Sequence, residues 1–416
     1  MRFVILIRLL LLLCIAFTLS VISEPIAGGE AQTHDWPRWR GPDCNGVSQE
    51  TSWRHIWPKE GLKTLWKTSV GAGFSGISIK EGRLYTMGFA DEKDTIWCLD
   101  AETGKEVWRY SYPSIIFSDQ FQGPASTPTV DDNYVYTISR KGIIHCVERL
   151  TGKPVWSCDV REKFGVKPLG HGFCCSALIE GDRVIMDIAK TVAFDKKNGD
   201  VVWETEDYGP SYCSPVAFDQ NGVACLAVFN GTGLVVLRLK DGSEVCRQPW
   251  NDTGANCVNA QMPIVEGDRI FFCSSYDDGS GLIEVREGKQ AKLVYKNVMR
   301  TGHHFAGYVL WDGHLYGIDE TQIHCLDFAT GKEVWAEDAG IAKGSLMLAD
   351  EKLIILSEKG ELVIAEASPQ GYQEHSRAQV LGGTSWTPPV LANKRIYCRN
   401  GEGDLVCVDA SVPSEE

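Results

Sequence analysis

Cys98-Leu-Asp-Ala-Glu-Thr-Gly-Lys-Glu-Val-Trp108 reads as two short extended runs joined by a tight Thr-Gly turn, and it is not unique in the chain. It returns as Cys146-Val-Glu-Arg-Leu-Thr-Gly-Lys-Pro-Val-Trp156, as Ala193-Phe-Asp-Lys-Lys-Asn-Gly-Asp-Val-Val-Trp203 and as Cys325-Leu-Asp-Phe-Ala-Thr-Gly-Lys-Glu-Val-Trp335. A weaker copy from Val236 to Cys246 carries cysteine where the tryptophan belongs. Glycine after Thr, Asn or Asp supplies the positive φ that a hairpin needs. The runs between turns are short and rich in Val, Ile, Tyr and Trp, which is strand chemistry. Long helical periodicity is absent.

Copies of the unit are preceded by another hairpin: Gly82-Arg-Leu-Tyr, Gly181-Asp-Arg-Val-Ile, Gly267-Asp-Arg-Ile-Phe, Asp312-Gly-His-Leu-Tyr and Asn393-Lys-Arg-Ile-Tyr. A period of roughly 40–50 residues with about four strands per unit is the signature of propeller blades. First-hairpin turns lie at Gly82, Asp132, Gly181, Asn221, Gly267, Asp312, Asp350 and Asn393. The reading is therefore all-β: an eight-bladed β-propeller of four-stranded antiparallel blades over residues 63–410. Seven blades is the alternative, because the fifth and seventh units lack a Thr-Gly-Trp tail. The last unit stops at Cys407-Val-Asp409 without its final strand, whereas the first is preceded by a spare one, Leu62-Lys-Thr-Leu-Trp66. Pairing the two closes the ring and removes its open edges.

The ends carry other signals. Arg2 and Arg8 precede an apolar run from Leu9 to Ile22, followed by small and polar residues. Residues 1–23 read as a signal peptide cleaved after Ser23 or Ala27. The run is shorter than the roughly 20 apolar residues of a membrane span, so an uncleaved anchor is the alternative. Cys14 follows three leucines rather than small residues, so lipidation is not expected. Residues 24–62 read as an N-terminal extension and 411–416 as a tail. No other stretch is apolar enough to span a bilayer, so the mature protein is expected to be periplasmic or secreted, without a transmembrane span. With 55 Asp and Glu against 41 Lys and Arg, and no clustered basic stripe, nucleic acid is not an expected ligand.

The unit Ala-x-Asp-x-x-Thr-Gly-x-x-x-Trp resembles the docking motif of the quinoprotein (PQQ) propellers and of the BamB-like proteins that share their fold. Asp35-Trp-Pro-Arg-Trp-Arg-Gly-Pro42 resembles the start of exported PQQ-like repeat proteins of planctomycete-type bacteria. The resemblance implies that Trp66, Trp108, Trp156, Trp203 and Trp335 pack between adjacent blades. Cys98, Cys146, Cys325 and Cys407 occupy the motif's alanine slot, where a small buried thiol fits as an inert apolar group. The 15 cysteines of this long chain thus do not require a disulfide framework, which belongs mainly to small domains lacking a core.

Residues that could carry chemistry sit where the inner strand of each unit starts. Counting back from the hairpin turns gives Ser75, Ser126, Cys175, Cys213, Gln261, Ala306, Gly344 and Thr387, expected around one mouth of the channel. Gly172-Phe-Cys174-Cys175-Ser holds the sharpest feature, adjacent cysteines, and PQQ alcohol dehydrogenases are similar in placing a vicinal disulfide against their cofactor. Structural thiols, or a structural bridge, close to Cys213 are the simpler reading. Arg300-Thr-Gly-His303-His304-Phe holds two histidines that point to opposite faces of a strand, so no metal site is expected there. Channel-mouth candidates for cofactor contact are thus Cys174, Cys175, Cys213, Gln261, His304 and Thr387.

A PQQ dehydrogenase also needs Ca²⁺ held by hard oxygen ligands and a carboxylate base. Asp119, Glu162, Asn256, Asn259 and Arg300 are groups of the right type without a recognisable motif. Serine-hydrolase, phosphate-loop and zinc-protease motifs do not occur. The expectation is a non-enzymatic exported propeller, with no cofactor, that binds a protein or cell-envelope polymer through its faces. The alternative is a small PQQ-dependent oxidoreductase using Ca²⁺.

Overall fold

The computed structural model describes residues 34–115, 122–250, 259–275, 279–286, 290–297 and 307–413. The expected signal peptide lies outside them. The chain forms eight four-stranded antiparallel blades arranged as a β-propeller, the seventh gaining a short parallel fifth strand, so the seven-bladed alternative falls. Blade 1 comprises Ser78–Lys80, Arg83–Ala90, Lys93–Asp100 and Glu106–Pro113, from the channel outward. Blades 2 to 7 follow at 129–159, 178–204, 216–249, 264–297, 309–337 and 345–379. Blade 8 takes three strands from 390–409 and its outermost, Thr64–Ser69, from the start of the ring. Trp66 pairs there with Cys407, and Ser69 with Asp404.

Strand position explains the residue patterns. The middle strands are covered on both faces by neighbouring blades and read as continuous apolar runs, such as Leu234-Val-Val-Leu237 and Leu353-Ile-Ile-Leu356, all buried. The outer strands have one wet face and alternate, as Glu106–Pro113 does.

The repeated motif has one geometry in all eight blades. The alanine-slot residue pairs across the ladder with the tryptophan-slot residue, and a one-residue register shift follows immediately: Cys98 opposes Trp108, but Leu99 opposes Glu106. Cys146–Trp156, Ala193–Trp203 and Cys325–Trp335 repeat it, as does Cys407–Trp66 across the closure. The degenerate units place Cys246, Tyr295 and Ser376 in the tryptophan slot. Each tryptophan reaches into the following blade. Trp66, Trp108, Trp156, Trp203 and Trp335 donate their indole N–H to the carbonyls of Ala101, Arg149, Lys196, Leu239 and Ser368, at 2.9–3.2 Å. Trp66, Trp108 and Trp203 are buried, and Trp156 and Trp335 are half-buried. Trp66 lies over Gly104, whose φ is 69° and whose added Cβ would stand 2.6 Å from the indole. The Thr-Gly turn therefore needs glycine twice, for its backbone and for the ring above it.

Residues 34–50, read from sequence as part of an extension, run along the inner strands in the channel, and the chain then passes outward to Trp57, whose N–H donates to Ser376 Oγ on the outer strand of blade 7 at 3.0 Å. Val47–Ser48 pairs in parallel with Leu348–Ala349 on the inner side of blade 7. Trp36 and Ile79 of blade 1 exchange two backbone hydrogen bonds of 2.8 and 2.9 Å. The segment also contacts the other blades. Pro37 accepts from Val130 of blade 2, and Arg38 reaches Glu180 of blade 3 at 4.0 Å. Cys44 shares an apolar cluster with Val216 and Met262 of blades 4 and 5. Arg40 donates to the Tyr308 carbonyl beside blade 6, and Glu50 accepts the Lys394 backbone N–H of blade 8 at 2.6 Å.

Candidate functional site

The end of the channel where the inner strands start is lined by two interleaved sets of residues. The first set is the one singled out from the sequence. Ser75, Ser126, Cys175, Cys213, Gln261, Gly344 and Thr387 are all buried. Their polar groups bind the backbone within and between blades. Ser126 Oγ donates to the Ile138 carbonyl at 2.7 Å, and the Met87 N–H donates to Ser75 Oγ at 3.2 Å. Cys213 Sγ donates to the Gln261 carbonyl of the next blade at 2.9 Å, and Thr387 Oγ1 donates to the Phe74 carbonyl at 3.2 Å. The residues that follow continue the belt. Backbone N–H groups of Gly76, Thr127 and Ser176 donate in turn to hydroxyls of Thr127, Ser176 and Ser214, at 2.8–3.0 Å.

The second set lies one residue earlier, where alternation turns side chains the other way. Phe74, Ala125, Cys174, Tyr212, Ala260, Lys343 and Trp386 are each half-buried. Phe74 and Trp386 stack with centroids 5.0 Å apart, and Trp386 Nε1 donates to Glu358 at 3.0 Å. Sequence reasoning therefore chose the residues between the blades and, Cys174 apart, missed those facing the mouth. The signal that finds them is the same repeat alignment read one position earlier.

The cysteines are placed together as expected, but as thiols. All thirteen described cysteines are free. Cys174 Sγ lies 3.7 Å from an Arg140 guanidinium nitrogen and 3.6 Å from the His171 carbonyl. Burial pushes the Cys174, Cys175 and Cys213 thiols above the ordinary cysteine range. Protonated thiols are poor nucleophiles and poor metal ligands. Beside Cys175 and Cys213 stands a carboxyl that sequence reasoning overlooked, Asp187, 1% exposed. It accepts hydroxyls from Ser211 at 3.1 Å and Thr191 at 3.3 Å, and burial pushes its pKa up to about 7. Ala306, His304, Asp119, Asn256 and Arg300 lie outside the described residues. Glu162 is exposed in the first turn of the short helix Val160–Phe164. Asn259 is buried, donating to the Asn230 carbonyl at 2.6 Å and accepting from Ser274 Oγ.

Among the described residues no three of His, Cys, Asp and Glu converge as metal ligands. Arg140 is committed to the Gly123 and His171 carbonyls, and Asp187 to two hydroxyls. What the mouth does present is a half-exposed, aromatic-rich rim on a rigid belt, a surface suited to binding. No described helix is long and apolar enough to cross a membrane.

The sequence profile of the family described as outer membrane protein assembly factor BamB matches residues 49–205 and 118–337. BamB of Yersinia pestis is 23% identical over 293 residues, covering 67% of this chain and 72% of that protein. The crystal structure of BamB from Moraxella catarrhalis superposes with a TM-score of 0.62 at 15% identity, over 85% of this chain and 99% of that one. Quinohemoprotein alcohol dehydrogenase from Comamonas testosteroni superposes with a TM-score of 0.68 at 12% identity, over 92% and 81%. At such identities the structural likenesses speak for the fold alone.

Proposed function

This chain belongs to the family of the outer membrane protein assembly factor BamB, and from that premise we propose that it is a non-enzymatic propeller of the cell envelope. Through the rim of its open mouth it binds another envelope protein, or a polymer of the envelope. One observation carries the reading: the polar groups at the inner-strand starts are spent on holding blades together, while the residues one position earlier face the mouth. Two features support it. The thiols near the mouth are held protonated, and the N-terminal segment fills the channel, so the faces rather than a through-passage are available to a ligand.

A photo-crosslinking amino acid placed at Lys343 on the mouth, with Val202 on an exposed outer strand as control, tests the reading in the native envelope. An adduct from position 343 and none from 202 is the expected outcome, and protease sensitivity of the added mass identifies a protein partner. Adducts from 202 alone would move the binding surface to the circumference.

A further inference from the structure

The segment in the channel carries an arginine whose charge no carboxylate among the described residues answers. Arg40 is 6% exposed. One guanidinium nitrogen donates to the carbonyls of Asn45, at 2.7 Å, and Tyr308, while its Nε is buried without a hydrogen-bond partner. Among the described residues no carboxylate forms an ion pair with it. Burial lowers its pKa only to about 10, so it stays cationic at neutral pH. An isolated buried charge is among the costliest groups a fold can hold.

Arg40 also borders a small cavity of about 20 Å³, lined further by Trp36, Trp39, Gly46, Ile77, Met347 and Pro389. That is room for one or two bodies of water size, which need about 10–15 Å³ each. The walls are mostly apolar, so a charge inside interacts strongly with the guanidinium.

We propose that this cavity is a binding site for one small monovalent anion, of the size of chloride, held against Arg40 in the interior of the channel. A water molecule would satisfy Nε but leave the positive charge unanswered; an anion does both. The contrast with Arg399 sharpens the point. That arginine is also fully buried without a carboxylate, yet its terminal nitrogens reach Ser75, Met87 and Gly73 carbonyls and Thr86 Oγ1 at 2.7–3.0 Å. Counting the Gly71 carbonyl at 3.4 Å, five oxygens solvate Arg399, whose Nε is likewise unpartnered, whereas two solvate Arg40. The bound anion would fasten the N-terminal segment to the ring, and this does not depend on what the mouth binds.

The test uses the full chain in gluconate salt, exchanged for chloride at constant ionic strength. A melting temperature that rises saturably by about 2–4 °C is expected, since a ligand bound only to the folded state stabilises it by mass action. The rise should be absent in Arg40→Met. Crystals soaked in bromide should show an anomalous peak against the Arg40 guanidinium, which decides the matter should the variant not fold. Identical melting in both salts, or bromide found only on the outer surface, would overturn the proposal.

Discussion

Asp187 and Arg399 occupy the same place in their blades, the fifth residue of the second strand, and both are buried ionisable groups with hydroxyl or carbonyl partners. Asp187 has a folded pKa of about 7, raised by burial from an ordinary value of 3.8. A carboxyl shifted upward favours folding below its unfolded pKa, and that contribution is lost as pH rises from about 4 through 7. Asp187→Asn keeps the hydrogen-bonding shape without the charge. The variant should match the wild type near pH 4 and exceed it by on the order of 2–4 kcal/mol at pH 8, in paired urea titrations. A constant difference across that range would place the titration elsewhere. Neither residue was legible as a site in the sequence, because an aspartate or arginine ending a strand looks like any turn residue until the neighbouring blades bury it. Cys174 apart, the residues facing the mouth stand one position from those chosen, for a related reason. Strand alternation gives two faces, and only the packed ring shows which of Cys174 and Cys175 faces the channel.

Among the elements, the repeat was readable because each blade meets the same packing demand. The tryptophan must reach over a glycine of the next blade, so spacing and residue types recur in the strong copies. Cys246, Tyr295 and Ser376 hide three copies, yet the register shift survives in all of them. The backbone geometry outlasts the side chain that advertises it. Trp108 is 7% exposed, and Trp108→Ala should cost about 3–5 kcal/mol in chemical unfolding. Ser376→Ala at the equivalent slot should cost under about 1 kcal/mol, the worth of its single bond from the Trp57 N–H. Equal losses at the two slots would contradict the docking role of the tryptophan. Closure belongs to this scale as well. Removing the chain up to Thr68 deprives blade 8 of its outer strand and should lower stability cooperatively. A truncated protein that melts like the intact one would show that Thr64–Ser69 does not hold the ring.

For the whole molecule, the sequence revealed the ring but not what fills it. Residues 34–50 have no repeat and no strand periodicity; they are turns, tryptophans and arginines whose partners come from eight different blades. Only the assembled channel makes sense of them. Since every blade contributes a contact, Trp36→Ala should raise amide exchange rates in inner strands beyond blade 1, and an effect confined to Ile79 and its neighbours would mean that the segment packs locally. The central claim remains that this propeller binds at its mouth rather than catalyses. Its most direct test is to titrate the purified protein with PQQ and Ca²⁺ while following cofactor absorbance and the reduction of a redox dye by alcohols. The account predicts no saturable spectral change and no dye reduction above the protein-free rate. Stoichiometric PQQ binding with alcohol-dependent dye reduction, abolished in Cys174→Ser/Cys175→Ser protein that still folds, would contradict it.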